Sequence, residues 1–402
     1  MSKGKKAQRL VPRLRFPDFR MADAWTPTPL GSLLSLEYGT SLPEKDRSGS
    51  GFPVIGSNGL VGYHATATVQ GPAIVVGRKG SVGAVNFIDS DCTPIDTTFY
   101  VELKQPEDHD FRFIWRLLEA ARLDQSGDAG AIPGLNRNDV YRRIFGLPDQ
   151  AEQRKIAECL SSLDDWISAE TEALAALRRH KTGLMQQLFP RPGETQPRLR
   201  FPKFREESGW SKQRIGEVLV KKARAVALDP DTMYREIGVR SHGKGLFHKD
   251  AVRGSTLGTK RVFQVVADAL VFNIVFAWER AVAVTTESER GFIASHRFPM
   301  FLPRSKRCDV RFMQRMFLTL AGKELLHIAS PGGAGRNRTL SQSDLSNLHA
   351  VMPGLDEQRR IADCLALLDD LISTHVNRLE ALQDHKRGLM QQLFPHTEAR
   401  AK

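Results

Sequence analysis

The chain has 402 residues, 41% of them hydrophobic and 26% charged, and a formal net charge of +12. This composition supplies cores for two to four domains of roughly 100–200 residues each and excludes a wholly disordered chain. The longest apolar run, residues 267–278, falls short of the roughly 20 residues that span a bilayer, and the charged first twenty residues are unlike a signal peptide. The cysteines stand far apart without a CxxC pair, which indicates reduced thiols in a cytoplasmic protein, with neither zinc nor disulfides.

Residues 1–20 form a basic tail and arm. They contain seven basic residues and one acidic residue, and so carry +6 of the net charge. Such a segment either adds salt-sensitive attraction to phosphates or serves as a solubilising, disordered terminus. The sequence leaves both interpretations open.

Residues 21–148 are predicted to form an α+β domain. Short apolar segments broken by glycine occupy residues 52–64, 73–87 and 97–103, which is typical of strands joined by tight turns, and a helix is predicted over 111–123. Arginine and lysine can contact guanine edges or phosphates, and asparagine can pair with adenine, although each such residue alone is more often a solvated surface residue. The candidate DNA-binding residues of this domain are Arg47, Asn58, Tyr63, His64, Arg78, Lys79 and Ser81.

A long amphipathic helix is predicted in residues 149–190, the first helical region. Leucine and isoleucine recur there at alternating spacings of three and four, as the seam of a coiled coil requires. The seam residues are Ile156, Leu160, Leu163, Ile167, Leu174, Leu177, Leu184 and Leu188. Glu170 and Lys181 interrupt the seam, and we interpret them as devices that fix register and orientation rather than as catalytic groups.

Residues 191–205 are predicted to be a linker followed by a repeated arm. The segment PRLRFPDFR at 12–20 recurs as PRLRFPKFR at 197–205, at an offset of 185 that Trp25 and Trp210 also obey. The chain thus begins a second copy of its own pattern.

Residues 206–353 are predicted to form a second α+β domain. Strands are indicated at 269–278 and 281–286, and a helix is predicted over 310–326. This middle barely resembles the first, which suggests one scaffold that presents two different recognition surfaces. The candidate DNA-binding residues here are Arg240, His242, Lys244, His248, Lys249, Lys260, Arg261, Arg280, Arg336, Asn337 and Arg338.

Residues 354–395, the second helical region, repeat the first and precede a short tail at 396–402. The segment 357–395 aligns with 152–190 at an offset of 205, with 25 identities in 39 positions. The same offset relates Asn136 to Ser341, which are matched helix N-cap types. Its seam residues are Ile361, Leu365, Leu368, Ile372, Leu379, Leu382, Leu389 and Leu393, with His375 and Lys386 at the interrupted places.

Neither long helix can bury its apolar stripe alone. The two copies can bury their apolar stripes against each other as an antiparallel coiled coil. Such a pair would relate the two domains by pseudo-two-fold symmetry. The predicted fold class is therefore α+β, with two domains separated by two long paired helices. The pairs Asp164–Asp165 and Asp369–Asp370 are interpreted as a solvated face or a partner-binding surface.

The motifs of several enzyme classes are missing from the sequence. No GxxxxGK[ST] phosphate loop occurs, and no Asn/Asp-Pro-Pro-aromatic tetrapeptide of an amino-methyltransferase. The Pro-Asp pairs lack the Glu-x-Lys of the common metal-dependent nucleases, and neither HExxH nor a nucleophile elbow is present. The sequence indicates a protein that binds rather than one that catalyses a reaction.

The chain resembles the specificity (S) subunit of type I restriction-modification systems. The resemblance rests on Pro-x-x-x-EQRxIAxxL, DxxI and HKxGLMQQLF, each occurring at the ends of two dissimilar domains, and on PRLRFPxF ahead of each domain. It covers nearly the whole chain, and leaves only the basic tail and the RPGETQ linker outside.

This resemblance implies a non-catalytic subunit that binds double-stranded DNA. In that family each target recognition domain reads one half of a split asymmetric sequence through the major groove, and the helical pair fixes the spacer. The implied partners are two modification subunits, which bind S-adenosylmethionine and methylate adenine N6, and restriction subunits, which use ATP and magnesium for translocation and cleavage. No cofactor on this chain and no membrane are implied. Both helical regions help bind modification subunits in the family, which makes Gln153, Arg154, Gln358 and Arg359 candidate partner-binding or domain-anchoring residues. Because the family assigns no universal base-contacting residue, the loop candidates rest on side-chain chemistry alone.

Two alternatives belong to other classes. One is a stand-alone nuclease with an unrecognised site in a middle domain, which would cut DNA with metal alone. The other is an architectural coiled-coil adaptor whose middle domains bind proteins, including a specificity subunit that has lost DNA recognition. Equal affinity for all DNA sequences, with tight binding to a modification subunit, would favour it.

Overall fold

The computed structural model describes residues 10–123, 134–304, 307–332 and 338–395. The chain divides into two compact units, and both long helices are shared between them. The first unit is Met1–Thr171 with Asn377–Lys402, and the second is Glu172–Val376. The part of each unit outside the long helices is called its domain below. The boundaries drawn from the sequence kept each helix whole, and they stay a prediction.

The first domain is built on an antiparallel sheet. Its strands are β1 (Thr26–Pro29), β2 (Leu34–Tyr38), β3 (Phe52–Gly56), β4 (Gly59–His64), β5 (Ala73–Gly77), β6 (Val85–Ile88), β7 (Thr93–Pro94), β8 (Thr98–Leu103) and β9 (Ile144–Leu147). The core sheet has the order β2-β8-β5-β6, a smaller sheet has the order β4-β3-β7, and β1 pairs with β9. All five residues of β5, AIVVG, are buried, as the short apolar run in the sequence predicts for a central strand.

The helices of the first domain are α1 (Leu30–Leu33), α2 (Phe111–Ala120) and α3 (Arg137–Tyr141), and the long helix α4 (Gln150–Leu188) follows. Two of them, α2 and α3, start at side-chain N-caps. The Asp110 carboxylate accepts the Phe113 N–H at 2.8 Å, and the Asn136 side chain accepts the Asn138 N–H at 2.9 Å. The N-cap role predicted for Asn136 is confirmed.

Three aromatic rings from distant parts of the chain meet in the core of the first unit. Trp25 lies just before β1, Phe113 on α2, and Phe394 just beyond the last helix of the chain. Their ring centroids are 5.6 to 6.4 Å apart, and all three rings are buried. Ile156 and Leu160 of α4 join the same cluster. The core of the first unit therefore contains residues from both ends of the described chain.

The second domain repeats this architecture with shorter strands. These are β10 (Ser211–Arg214), β11 (Leu219–Lys222), β12 (Met233–Tyr234), β13 (Ile237–Val239), β14 (Leu246–His248), β15 (Val252–Arg253), β16 (Val262–Gln264), β17 (Leu270–Phe272), β18 (Val282–Val284), β19 (Ile293–Ser295), β20 (Met300–Pro303) and β21 (His349–Met352). The helices are α5 (Ile215–Val218), α6 (Gly254–Leu257), α7 (Val310–Leu318), α8 (Leu320–Ile328), α9 (Gln342–Asn347) and the long α10 (Leu355–Leu393).

The two domains share a framework although their sequences differ. The core sheet of the second has the order β11-β20-β17-β18, which matches β2-β8-β5-β6, and β10 pairs with β21 as β1 does with β9. Trp210, Phe189 and Phe312 repeat the aromatic cluster with centroid separations of 5.2 to 6.1 Å. Ser341 caps α9 by accepting the Asp344 N–H, so its predicted N-cap role is confirmed.

The helix predicted over 310–326 is wrong in one respect, because the segment forms two helices. The chain breaks at Thr319, which has extended φ and ψ angles of −73° and 173°. Its hydroxyl accepts the Gly322 N–H at 3.1 Å and so starts α8 as an N-cap. The side-chain cap at Thr319 therefore starts a new helix although the apolar pattern continues through this position.

The long helices run antiparallel where they meet inside each unit. In the first unit Asp164 of α4 bonds Lys386 of α10 at 2.6 Å, and Glu170 lies 3.8 Å from Arg378, so partner numbers fall as positions along α4 rise. In the second unit Lys181 pairs with Asp369. The expected α+β fold with two long antiparallel helices is confirmed. Within the described ranges, every helix is too short or too polar to cross a membrane.

The seam residues lie on the inner side of the helix pair. The buried ones are Ile156, Leu160, Leu163, Leu174, Leu188, Ile361, Leu365 and Leu393. The half-buried ones are Ile167, Leu177, Leu184, Leu368, Ile372, Leu379, Leu382 and Leu389. The most buried positions fall near the helix ends, where a domain also packs on the helix.

Candidate nucleic-acid interface

Two turns of the first domain pack against each other beside its core sheet. Residues 57–58 form the turn between β3 and β4, and residues 78–84 connect β5 to β6. The backbones approach so closely that a Cβ on Gly77 would collide with the Ser81 carbonyl and lie 3.2 Å from the Ser57 Cβ. Glycine is therefore required where the two turns share one surface.

A third segment of the first domain joins these turns. The Leu135 N–H donates to the Arg78 carbonyl at 2.9 Å. The guanidinium carbons of Arg78 and Arg137 lie 4.8 and 5.2 Å from the centroid of the exposed Tyr38 ring, within cation–π range. We call residues 57–58, 78–83 and 134–137 the first loop cluster.

The second domain brings its equivalent turns together. The turn between β13 and β14 packs on the connection between β17 and β18. The His242 N–H donates to the Glu279 carbonyl at 2.8 Å, and the Gly243 N–H donates to the Arg280 carbonyl at 3.0 Å. Main-chain hydrogen bonds thus join two turns that the sequence separates by some thirty residues.

A third segment also completes the arrangement in the second domain. The Leu340 N–H donates to the Ile274 carbonyl at 2.8 Å. Leu340 corresponds to Leu135 at the offset of 205. We call residues 240–245, 273–281 and 338–341 the second loop cluster.

Backbone strain is concentrated in the second loop cluster. His242 and Arg280 have φ angles of 59° and 63°, a region that non-glycine residues rarely adopt. The Arg280 guanidinium donates to the Leu318 carbonyl at 3.2 Å, which helps hold that conformation. Strained residues of this kind persist where the surroundings fix them, and they cluster at binding sites.

An aromatic and cationic group borders the second loop cluster. The Arg338 guanidinium lies 3.0 Å from His327 Nδ1 and 6.0 Å from the Trp278 ring centroid. Burial lowers the pKa of His327, and the positive charges of Arg338 and Lys323 lower it further. This histidine is therefore neutral at physiological pH and can accept the arginine hydrogen bond.

Both loop clusters have the side chains of a polyanion-binding surface. The cations are Arg78, Lys79 and Arg137 in the first, and Arg240, Lys244, Arg280 and Arg338 in the second. Such groups contact phosphates and base edges, and the neighbouring aromatic rings add flat apolar surface. Within the described ranges, no group of three or more His, Cys, Asp or Glu side chains is arranged to hold a metal ion.

Four of the seven candidates in the first domain lie in the first loop cluster: Asn58, Arg78, Lys79 and Ser81. The other three lie along or behind β4. Arg47 donates to the Val61 carbonyl at 2.8 Å and so braces that strand. Tyr63 is exposed, and His64 is half-buried. Tyr63 lies on the edge strand β4, beside the cluster rather than within it.

In the second domain, five candidates lie in the second loop cluster: Arg240, His242, Lys244, Arg280 and Arg338. Arg336 and Asn337 lie outside the described residues.

The remaining candidates of the second domain have partners elsewhere. Lys249 and Lys260 bond the buried Glu236 at 3.2 and 2.5 Å, and His248 bonds Glu289 at 2.9 Å. Arg261 is exposed and lies 5.8 Å from the Phe263 ring. The two lysines therefore compensate a buried carboxylate, a use that sequence chemistry alone does not distinguish from DNA binding.

The candidate partner-binding residues divide into two kinds. Gln153 is buried, and its side chain accepts the Asp110 N–H and donates to the Pro148 carbonyl, both at 3.0 Å. Gln358 makes the equivalent bonds in the second unit, to the Asp309 N–H at 3.0 Å and the Pro353 carbonyl at 2.9 Å. Both glutamines thus tie a domain to a long helix.

The two arginines beside these glutamines are exposed. Arg154 donates to Gln150 at 2.7 Å, and Arg359 lies 3.6 Å from Asp356, so neither leaves its own helix. A role in binding a partner stays a prediction for both.

The repeated arm is held by a buried ion pair that the sequence analysis missed. Arg15 donates two hydrogen bonds to Glu152, at 2.8 and 2.7 Å, and the Trp25 indole N–H reaches the same carboxylate at 3.2 Å. The hydrogen bond and charge of Glu152 raise the pKa of Arg15. Arg200 and Glu357 make the same bidentate pair in the second unit. The signal was available, because both partners lie in repeated motifs.

A second set of ion pairs joins each domain to the helix pair. Asp164 accepts the fully buried Arg116 of α2 as well as Lys386 of α10. Asp369 of the second unit likewise accepts both Arg315 and Lys181. For Asp164 and Asp369 the interpretation as a solvated face is therefore wrong, because each accepts ion pairs inside the chain. Their partners Arg116 and Arg315 lie in matching segments, DFRFIWR at 110–116 and DVRFMQR at 309–315, so the sequence carried a signal for this pair too, at an offset of 199. Asp165 and Asp370 are exposed, and a partner-binding role for them stays a prediction.

Comparison with known proteins agrees with this architecture. The family model of the type I restriction modification DNA specificity domain matches residues 22–179. A putative type I restriction enzyme MjaX specificity subunit of Methanocaldococcus jannaschii is 20% identical over 271 residues, 65% of this chain and 60% of that protein. The MjaVIII specificity subunit of the same organism is 22% identical over 301 residues, 69% of this chain and 67% of that protein. The chain thus spans about two thirds or less of the length of these relatives.

A solved structure shares the fold. The type I restriction-modification S subunit from M. genitalium superposes with a TM-score of 0.65 at 16% identity, over 96% of this chain and 100% of that one. The matched domain, the relatives and the shared fold agree with the duplicated EQR and HKxGLMQQLF segments. The chain is therefore similar to type I restriction-modification specificity subunits over the matched domain, and it shares the fold of a solved S subunit.

Proposed function

We propose that this protein is the DNA-recognition subunit of a type I restriction-modification complex, and that each domain reads one half of a bipartite target. The observation that carries the proposal is the pair of loop clusters. Three equivalent segments come together in each domain on matching frameworks, yet the side chains they present differ. Two distinct surfaces on one repeated scaffold suit a target with two unlike halves.

The proposed role is non-catalytic, and the chemistry belongs to partner subunits. Two modification subunits would dock around the helices and domains and supply adenine N6 methylation with S-adenosylmethionine. Restriction subunits would supply ATP-driven translocation and magnesium-dependent cleavage. The helix pair would fix the spacer between the half-targets, and the complex would work in the cytoplasm.

The test is to co-express the chain with its neighbouring modification subunit and map methylated adenines across the genome. We expect a split motif with a fixed spacer. Replacing Asn58 and Lys79 of the first loop cluster by alanine should alter one half of that motif and leave the other half unchanged. Lys45→Ala is the matched control, because Lys45 is an exposed cation of the same domain outside the cluster.

Two outcomes would contradict the proposal. A stable complex that methylates no defined motif would indicate a scaffold without reading function. A change in both halves of the motif after substitutions in one cluster would show that the domains are not separate readers.

A further inference from the structure

A basic groove lies on the second domain between β11 and α9. Its volume is about 420 Å³. Its cationic lining residues are Arg214, Lys221 and Arg304, and its uncharged polar ones are Gln342, Ser343 and Ser346. Glu217 is the one carboxylate among the residues that line it. Three cations from three different elements, faced by hydroxyl and amide groups, form a site for an anion.

The equivalent place in the first domain is filled. Tyr141 occupies the position of Ser346 at the offset of 205. Its hydroxyl accepts the Leu36 N–H of β2 at 2.8 Å, so the ring bridges α3 and the edge of the core sheet. A Cβ on Gly31 would lie 2.8 Å from the Tyr141 Cβ, which shows how tightly the ring is packed.

The two positions make equivalent contacts with the surrounding framework. Gly216 meets Ser346 as Gly31 meets Tyr141, with 2.9 Å from an added Cβ to the Ser346 carbonyl. The difference is therefore one of side-chain size. A serine in place of a tyrosine opens the groove without moving the elements around it.

The second domain also has more positive side chains at this place than the first domain has. Lys221 stands where the first domain has Leu36, and Arg214 stands where it has Pro29, both at the offset of 185. The first domain keeps one cation there, Lys104, but its ammonium is bonded to the Gly31 carbonyl at 2.5 Å. The second domain has thus gained two cations and an open space at the same place, although the Arg214 guanidinium also donates to the side-chain oxygen of Asn347.

The groove adjoins the second loop cluster. Gln342 and Ser343 directly follow residues 338–341, the third segment of that cluster. A duplex whose bases are read by the cluster carries its backbone phosphates past the neighbouring surface.

We propose that this groove binds a backbone phosphate of DNA beside the half-target read by the second domain, and that the first domain has no counterpart at this place. The inference rests on the proposed DNA-reading function. It assigns to Arg214, Lys221 and Arg304 a contact that is blind to base sequence and sensitive to salt.

The first experiment measures DNA binding by the methyltransferase complex against salt concentration. Removing Arg304 with Arg304→Ala should weaken binding to all duplexes equally, leave the methylated motif unchanged, and reduce the slope of log K against log salt by about one. Lys104→Ala is the matched control, and its slope should equal that of the unaltered complex. An unchanged slope for Arg304→Ala would overturn the proposal.

A second variant closes the groove without removing a charge. Ser346→Tyr copies the first domain and should reduce the slope although every cation is retained. If a folded Ser346→Tyr protein binds DNA with the same salt slope as the unaltered protein, the open groove does not bind a phosphate and the proposal is overturned. If this variant fails to fold, Arg304→Ala decides the question alone.

Two further readouts separate this site from other anion partners. If inorganic phosphate raises the melting temperature of the unaltered chain but not of Arg304→Ala, and the DNA slope is unchanged, the groove takes a free anion and the proposal is overturned. Loss of modification subunits with an unchanged slope would instead identify a protein interface. Absence of any split motif would contradict the DNA-reading function, whereas the salt slope on arbitrary duplexes would still test the groove.

Discussion

The first and second domains differ in their loops far more than in their frameworks. Both have a four-stranded sheet of equivalent order, a tryptophan cluster and a bidentate arginine–glutamate pair. The segments that repeat in the sequence are those that hold each domain to the helix pair. The segments that diverge form the loop clusters and the groove. Selection on binding can therefore act on the loops, because the framework does not depend on them.

The largest expected effect comes from the buried arginine–glutamate pairs. Glu152→Ala leaves Arg15 buried without a counter-charge and the Trp25 N–H without its acceptor, which should cost about 3–5 kcal/mol. Glu357→Ala should cost about 1 kcal/mol less, because the Trp210 N–H has no hydrogen-bond partner to lose. Hydrogen exchange of the β9 and β21 amides, which lie opposite β1 and β10, measures the two losses in each variant.

Glu158→Ala is the control for this pair of variants, since Glu158 is exposed on the same helix. Equal losses for the two buried glutamates would show that the indole hydrogen bond contributes nothing.

The next effect distinguishes the two ion-pair sets on the helices. Arg116 is fully buried, whereas the Arg315 side chain is 15% exposed. Arg116→Ala should therefore cost about 3 kcal/mol and Arg315→Ala about 1–2 kcal/mol. Amide exchange along α2 and α7 reports each loss. A larger loss for Arg315 would contradict the argument from burial, and Arg116→Lys, which keeps the charge, should recover part of the stability.

A smaller effect concerns specificity. Arg78→Ala in the first loop cluster should reduce discrimination by about 1–3 kcal/mol at one half of the motif. Arg280→Gly should do the same for the other half, and glycine suits the φ of 63° at that position, so no backbone strain is added. Methylation rates on duplexes with single substitutions measure both. If either variant affects the half assigned to the other domain, the assignment of halves to domains is wrong.

The smallest effect is a pH dependence confined to the second domain. Burial raises the pKa of Glu236, but hydrogen bonds from Lys260 and Lys249 outweigh it, so the pKa lies below its ordinary value of 4.5. A lowered folded-state pKa stabilises the protein above the unfolded pKa, and this contribution is lost as the pH falls through the folded pKa. The melting-temperature difference between the unaltered chain and Glu236→Gln should therefore shrink below about pH 4.5. A constant difference down to about pH 3 would contradict the linkage.

Much of the fold could be predicted because its signals are local or repeated. The alternating spacing of leucines gave both long helices to within two residues of their observed limits, and N-cap residues such as Asn136 and Ser341 marked helix starts. The glycine-bounded apolar runs gave β3 to β6 and β17 to β18. The break at Thr319 was missed because a threonine inside an apolar pattern does not reveal which hydrogen bond it will make.

The binding surfaces were less predictable because they depend on contacts between distant segments. Side-chain chemistry could suggest Arg78 and Lys244, but it gave the same weight to Lys249 and Lys260, whose buried partner Glu236 lies elsewhere in the sequence. The groove depends on Ser346, a residue without any chemical signal of its own. Only comparison with Tyr141 in the other domain reveals its effect.

The position of Phe394 has a consequence for how the protein is made. The core of the first unit is completed by this ring, against Trp25 and Phe113, yet Phe394 lies near the end of the chain. On a translating ribosome Phe189 precedes the second domain, whereas Phe394 follows both domains, so the core of the first unit cannot be completed until the second domain has been synthesised. The domain synthesised first is thus the last to complete its core, and a nascent chain would expose its apolar interior to chaperones while the second domain is made.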